Sequence, residues 1–350
     1  MSARARLEWV DAARGMAITL VVLFHSTNWL LAAGLPVETW VTVNATVATM
    51  RLPVFFIVSG LFAGKWVSAS WRALWGTKLS LFVWVYILWS TIASVVFLAG
   101  LDLKGQGGGV LGQVRGFLEM LWAPRFELWF IWALALFFAA IRLLRRVPVA
   151  VQLIVAGIVS AVGLSGWLEV NVGGTGALKY FFFFLCGLHL RDAIFTWAER
   201  SRGVRGAAVV ALAAAAAVPG VVLGWDTAVP GFYFLACCLG GLAGVVVARW
   251  LAPLSLLRRI GRHTLPVYLT HTSVIILLCW LISHVAAQIP PPVSVLAPPL
   301  LAATAIAASL ALMRAVRDRP VVRLLYEQPE WFAGRSREKR PRTDRGSEVR

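Results

Sequence analysis

Long apolar stretches separated by short polar and basic segments dominate this 350-residue chain. Most stretches run for roughly 18 to 24 residues, which is enough to cross a hydrocarbon layer of about 30 Å as an α-helix. The pattern therefore predicts an all-α, polytopic integral membrane protein with about ten transmembrane helices. The ten predicted spans cover residues 11–33, 45–64, 79–100, 128–142, 149–167, 178–195, 206–224, 230–252, 264–287 and 294–316.

Composition and charge agree with this class and set the orientation. The residues are 59% hydrophobic and only 14% charged, and the mean hydropathy is +0.78. Fourteen Lys or Arg residues fall in alternate loops, and three fall in the loops between them. Because basic loops stay on the cytoplasmic side, both termini are predicted to be cytoplasmic. The net charge of +17 thus follows from topology and gives no support for a nucleic-acid partner.

The chain is predicted to form one transmembrane domain, residues 1–316, and a basic cytoplasmic tail, residues 317–350. A tail of this composition is expected to be partly disordered and attracted to anionic lipid. The longest external connection, residues 101–127, begins with a glycine-rich run. Phe117, Leu118, Leu121 and Trp122 then recur at helical spacing, which predicts a short segment lying at the membrane interface.

The first span contains an arginine and a histidine eleven residues apart, Arg14 and His25. Eleven residues turn a helix through about 1100°, only about 20° beyond three full turns, so the two side chains share a face. Asp11 lies on nearly the same face. Ionisable groups are costly in hydrocarbon and usually mark a functional site there, with packing polarity as the alternative.

Five further positions are candidates for substrate binding. Arg51 opens the predicted second span on the external side, and Ser59 lies deeper in it, where close helix packing is the other interpretation. Glu127 and Trp129 stand at the predicted external mouth of the fourth span, suited either to holding a sugar or to anchoring a helix end. His271, in the ninth span, either lines a site or bonds a neighbouring helix.

Several catalytic classes lack their motifs here. The chain has no H-x-x-x-x-D arrangement of the glycerolipid acyltransferases, no H-E-x-x-H, no P-loop and no G-x-G-x-x-G. The four cysteines all fall in apolar spans and form no C-x-x-C, so they are interpreted as core residues. We therefore expect no metal and no bound cofactor.

Four strings carry a resemblance to a known family. They are RLEWVDAARGMAITLVVLFH at 6–25, RLPVFFIVSGLF at 51–62, LWFIWAL at 128–134 and VYLTH at 267–271. In this order and spacing they resemble the membrane acyltransferase-3 family over about residues 6–316. In that family an Arg and a His with ten residues between them mark the first helix, which matches Arg14 and His25. Within the family the chain is similar to the sugar O-acetylase branch, which includes fucose O-acetylase-like proteins.

The resemblance implies an acyltransferase of the plasma or inner membrane. It would move an acyl group, usually acetyl from acetyl-CoA, to a hydroxyl of a carbohydrate or glycolipid. On this hypothesis Arg14, oriented by Asp11, meets the phosphates or thioester of CoA, and His25 takes the proton of the acceptor hydroxyl or forms an acyl-histidine. His271 would then hold donor or acceptor. Many relatives carry a fused extracytoplasmic domain of the SGNH type, which is not found in this sequence.

Two other classes of function remain open from the sequence. A transporter of a lipid-linked sugar or small organic acid fits ten spans with buried polar residues, although two related halves with matching broken helices are not evident. An assembly scaffold is the third class. The ionisable residues within spans argue against it.

Overall fold

The computed structural model describes residues 3–334, except residues 102, 106, 107, 125, 202, 317, 320 and 321. The described part consists of α-helices joined by short π-helical and 3₁₀-helical turns and contains no β-strand, which confirms the predicted all-α class. The helices are α1 (Ala3–Ala32), α2 (Glu38–Gly60), α3 (Gly64–Ser68), α4 (Trp71–Leu74), α5 (Ser80–Val96), α6 (Gly109–Glu119), α7 (Trp129–Leu143), α8 (Val149–Leu164), α9 (Val172–His189), α10 (Arg191–Arg200), α11 (Val204–Leu223), α12 (Trp225–Ala228), α13 (Phe232–Leu251), α14 (Ser255–Arg262), α15 (Thr264–Ser283), α16 (Pro291–Ser294) and α17 (Ala297–Val316).

The helices confirm a polytopic membrane protein. Within the described residues, eight helical segments are long and apolar enough to cross a membrane, and a bent pair of helices brings the number to nine. The segment at Val149–Leu164 is apolar but shorter. Nine of the ten predicted spans thus each coincide with one helix, and the sixth falls on the bent pair, while the count of ten and the cytoplasmic termini remain predictions. The eight segments are Glu8–Ala32, Glu38–Gly60, Trp71–Val96, Phe126–Arg146, Val204–Leu223, Phe232–Leu251, Thr264–Ser283 and Pro292–Val316.

The predicted sixth span, residues 178–195, is not one straight helix. It breaks at Leu190, where α9 and α10 meet at 81°. The first turn of α10 carries exposed charged residues, while Ile194 and Phe195 are buried against the bundle. This amphipathic pattern suits a helix at the surface of the bundle better than the end of a span.

Helix α1 lies at the centre of the bundle and packs on α2, α13, α14, α15 and α17. Its contact with α14 is backbone to backbone, because a Cβ on Gly15 would collide with the main-chain oxygen of Leu257. A Cβ on Gly261 would likewise collide with the main-chain oxygen of Asp11. Such close approach is available only to glycine, so these two positions fix the end of α1 that carries Arg14.

Two segments outside the long helices bear on the predictions. Helix α6 occupies the middle of the connection 101–127 and keeps Leu118 exposed, as expected for a helix at the interface. In the predicted tail, residues 322–334 are packed against α5. The remainder of that tail, residues 335–350, lies outside the described residues.

Candidate functional site

Arg14 and His25 line two separate cavities. The His25 cavity has a volume of about 580 Å³ and is lined by residues of α1, α6 and the start of α7. The Arg14 cavity has a volume of about 250 Å³ and lies among α1, α2, α5, α7 and α15. The start of α7 and Tyr268 of α15 lie between them, since Glu127 and Trp129 face the first cavity and Phe130 and Tyr268 the second. Helix α1 therefore contributes one basic side chain to each cavity.

His25 meets a carboxylate at the wall of its cavity. Its Nδ1 atom lies 3.5 Å from Oε1 of Glu127, and Nε1 of Trp29 donates to the same oxygen at 3.5 Å. About 15% of the His25 side chain and 16% of the Glu127 side chain are exposed, so the pair is largely desolvated yet reachable from the cavity. With Nδ1 directed at the carboxylate, Nε2 is the ring nitrogen left to act as a base.

A strained turn places Glu127. The preceding residue, Phe126, has a φ of 56°, which puts a residue with a Cβ in the left-handed region at a cost of about 1–2 kcal/mol. The ring of Phe126 packs edge-to-face on Phe97, with centroids 4.9 Å apart. The turn Phe126–Leu128 then enters α7 directly, which directs Glu127 toward α1. Strain of this kind collects at functional sites, where the surrounding packing holds it.

His271 lies behind His25 and does not line the His25 cavity. The two rings are 5.4 Å apart between centroids, and His271 is fully buried. Its Nδ1 lies 3.0 Å from the main-chain oxygen of Val267 and 2.7 Å from that of Tyr268, so Nδ1 must be the donor. Its Nε2 accepts from the Thr272 hydroxyl at 3.2 Å. This arrangement indicates that His271 orients His25 and does not itself contact a substrate.

Tyr268 connects the two cavities and was not singled out from the sequence. Its ring lines the Arg14 cavity, and its hydroxyl donates a hydrogen bond of 2.5 Å to the main-chain oxygen of Glu127. Its own main-chain oxygen accepts from His271. One residue thus touches both groups that flank His25. The sequence offered only its place in the string VYLTH.

The Arg14 cavity combines two cations with an aromatic wall. The Arg14 guanidinium lies over the ring of Phe62 at 5.0 Å from its centroid, and it forms no ion pair with any residue the structure describes. Lys78 lines the same cavity, together with Phe55 and Phe138. A pair of cations above aromatic side chains is suited to an elongated anionic ligand with an apolar end.

Asp11 and Ser59 have identifiable partners at this end of the site. The Asp11 carboxylate lies 3.8 Å from the guanidinium of Arg262 on α14, which ties α1 to α14. The Ser59 hydroxyl donates to the main-chain oxygen of Phe55 at 2.8 Å while also lining the Arg14 cavity. Both residues are therefore near Arg14, with Asp11 paired to another arginine.

Arg51 lies deeper than the sequence indicated. Because α2 begins at Glu38 rather than at residue 45, Arg51 stands in the second half of this helix and not at an external end. Its side chain is buried, with the guanidinium 4.2 Å from the ring centroid of Phe24. Phe24 lines the His25 cavity, so Arg51 is separated from that cavity by the ring it covers. Its Nη1 atom is buried without a hydrogen-bond partner.

The remaining wall of the His25 cavity is mixed in character. Trp129, Trp29 and Asn28 provide aromatic surface and an amide. The cavity also holds two further cations and two anions, of which Arg115 and Glu119 are joined by a hydrogen bond of 2.8 Å. Charge on this wall is therefore balanced. The ionisable residues besides His25 are Lys104, Arg115, Glu119 and Glu127.

No group of three or more His, Cys, Asp or Glu residues suited to a metal ion occurs in the described part of the chain. Cys237 and Cys279 are buried, in agreement with the interpretation of these cysteines as core residues, and none of the four forms a disulfide.

Comparison with known proteins identifies one family. The chain matches the family model described as an acyltransferase domain over residues 7–314. This range contains both cavities and every candidate residue, and it ends before the segment 322–334 that packs on α5. No curated protein and no solved structure matches the chain.

Proposed function

This chain belongs to the acyltransferase-3 family and is a membrane acyltransferase, and from that premise we propose its specific reaction. The enzyme moves an acetyl group from acetyl-CoA to a hydroxyl of a carbohydrate or glycolipid, as in the sugar O-acetylase branch of the family. It acts as a multi-pass protein of the plasma or inner membrane.

One observation carries the proposal: a single helix delivers Arg14 to one cavity and His25 to another, and Tyr268 and the start of α7 lie between the two cavities. The two residues are about 16 Å apart along α1 at 1.5 Å per residue. An extended pantetheine arm has a comparable length. A donor whose phosphates meet Arg14 and Lys78 is therefore long enough for its thioester to reach the level of His25.

The reaction follows from the His25–Glu127 pair. The acceptor hydroxyl gives its proton to Nε2 of His25 as its oxygen attacks the thioester carbonyl, while the carboxylate of Glu127 stabilises the imidazolium. The carbon–sulfur bond then breaks, and the proton passes from Nε2 to the departing CoA sulfur. The products are an ester and CoA, with His25 restored to its neutral form.

The walls of the cavities support the choice of donor and acceptor. The Arg14 cavity is lined by aromatic rings, including Phe130, against which the apolar part of a pantetheine arm can pack. The His25 cavity offers an indole at Trp129, the amide of Asn28 and a balanced set of charges. Aromatic surface with hydrogen-bonding groups and no net charge suits a neutral sugar.

The test uses purified protein in lipid nanodiscs with acetyl-CoA labelled in the acetyl group and a panel of neutral and acidic glycans. We expect label in a neutral glycan together with an equal amount of released CoA, and neither with His25→Ala. Label crossing the membrane of sealed vesicles without CoA release would instead indicate a transporter.

A further inference from the structure

The segment 322–334, hereafter the strap, lies beyond the range that the family model matches and folds back along α5. Three indole N–H groups on the α5 side donate to main-chain oxygens of the strap. These bonds join Trp84 to Leu324 at 2.8 Å, Trp89 to Leu325 at 2.8 Å and Trp75 to Phe332 at 3.2 Å.

The indole bonds explain how irregular backbone can lie against a membrane-spanning helix. Trp84 and Trp89 fall within the membrane-crossing segment Trp71–Val96, where an unpaired carbonyl would cost several kcal/mol. Aromatic rings add to the contact, since Trp84 packs against both Trp331 and Phe332 of the strap. The strap is therefore built into this face of α5.

One buried side chain of the strap, Tyr326, reaches the helix that carries His271. The hydroxyl of Tyr326 lies 2.8 Å from the hydroxyl of Thr270 on α15, and its ring stacks on Trp89 of α5 at 6.1 Å between centroids. Tyr326 is only 8% exposed. Burial raises the pKa of its phenol, although the bond to Thr270 acts in the opposite direction, so the phenol stays protonated at neutral pH.

We propose that the strap holds α15 in the position that acyl transfer requires, with Tyr326 as its positioning residue. Thr270 stands between Tyr268, which bonds the main chain of Glu127, and His271, which packs on His25. A shift of Thr270 therefore displaces both supports of the His25–Glu127 pair. The role in catalysis rests on the proposed function, whereas the mechanical role does not.

The test removes the two hydroxyls separately and together, as Tyr326→Phe, Thr270→Val and the double variant. Each single change should lower kcat by about three- to tenfold, the range for one buried hydrogen bond, with the KM for acetyl-CoA unchanged. The double variant should be no slower than the worse single variant. Thr91→Val is the matched control, because its hydroxyl bonds only within α5. The proposal would be overturned if the double variant lost kcat by the product of the two single effects. It would also be overturned if Tyr326→Phe kept the kcat of the wild type.

Hydrogen–deuterium exchange on the same proteins gives a measurement that needs no activity. Tyr326→Phe should speed amide exchange in the peptides of residues 264–283 and leave those of α13 unchanged. If Tyr326→Phe speeds exchange but the wild-type protein transfers no acetyl group, the proposed function is refuted and the mechanical role of the strap is supported. If exchange is unchanged in Tyr326→Phe while the wild-type protein transfers acetyl groups, the role given to the strap is refuted and the proposed function is supported.

Discussion

Replacing Glu127 by glutamine tests whether the Glu127 carboxylate stabilises the imidazolium that His25 forms when it acts as a base. The amide keeps the oxygen that receives Nε1 of Trp29 and Nδ1 of His25, so the change removes charge and little else. An imidazolium and a carboxylate 3.5 Å apart attract each other by about 5 kcal/mol at an effective dielectric constant of about 20. Part of this attraction is offset by desolvation, so we expect kcat to fall by about a hundred- to a thousandfold.

The assay for Glu127→Gln is steady-state release of CoA thiol with acetyl-CoA varied at saturating acceptor. Because the carboxylate acts on charge that develops during the reaction, kcat should fall while the KM for acetyl-CoA stays near that of the wild type. Glu119→Gln is the matched control, a carboxylate of the same cavity that is partly exposed and paired with Arg115. A Glu127→Gln enzyme within threefold of the wild type would refute the role given to this carboxylate.

Three further predictions follow from the same geometry. His25→Ala should abolish transfer while membrane insertion stays near normal, and retention of most activity on labelled acetyl-CoA would remove His25 from the mechanism. Arg14→Lys should lower kcat/KM for acetyl-CoA by about ten- to hundredfold, because an ammonium cannot form paired hydrogen bonds to phosphate; an unchanged value would exclude donor binding by Arg14. Single cysteines at Arg145 and Arg259 should resist an impermeant maleimide applied outside intact cells, whereas one in the loop 101–127 should react; the reverse pattern would invert the topology.

Local patterns in the sequence were sufficient to predict most of the helices and the face of α1 that carries Arg14 and His25. The shared face of Arg14 and His25 follows from helical periodicity alone, because both residues lie on one continuous helix. The depth of Arg51 was misjudged because α2 begins with the polar segment that starts at Glu38, which delays any hydropathy signal. The break after α9 was missed because α9 and α10 together are as long and as apolar as a straight span.

Contacts between distant parts of the chain could not be predicted from local patterns. Glu127 and His25 are 102 positions apart in the sequence, and only the packing of α7 near α1 brings them together. Tyr326 and Thr270 meet in the same way. The strap was overlooked because the basic composition of the tail outweighed the aromatic residues Trp331 and Phe332. Those aromatic residues were the available signal.

Helix α1 also keeps Arg14 and His25 at a constant distance from each other. A hydrogen-bonded helix barely stretches, so the separation of about 16 Å between the backbones of Arg14 and His25 along α1 is set by residue count and not by the ligand. A thioester on a truncated arm, such as an acetylated cysteamine, can occupy one end of this span at a time. Selection among donors would therefore depend on the reach of the carrier arm, and an insertion of one residue between the two side chains would rotate them apart by about 100° as well as lengthen the gap.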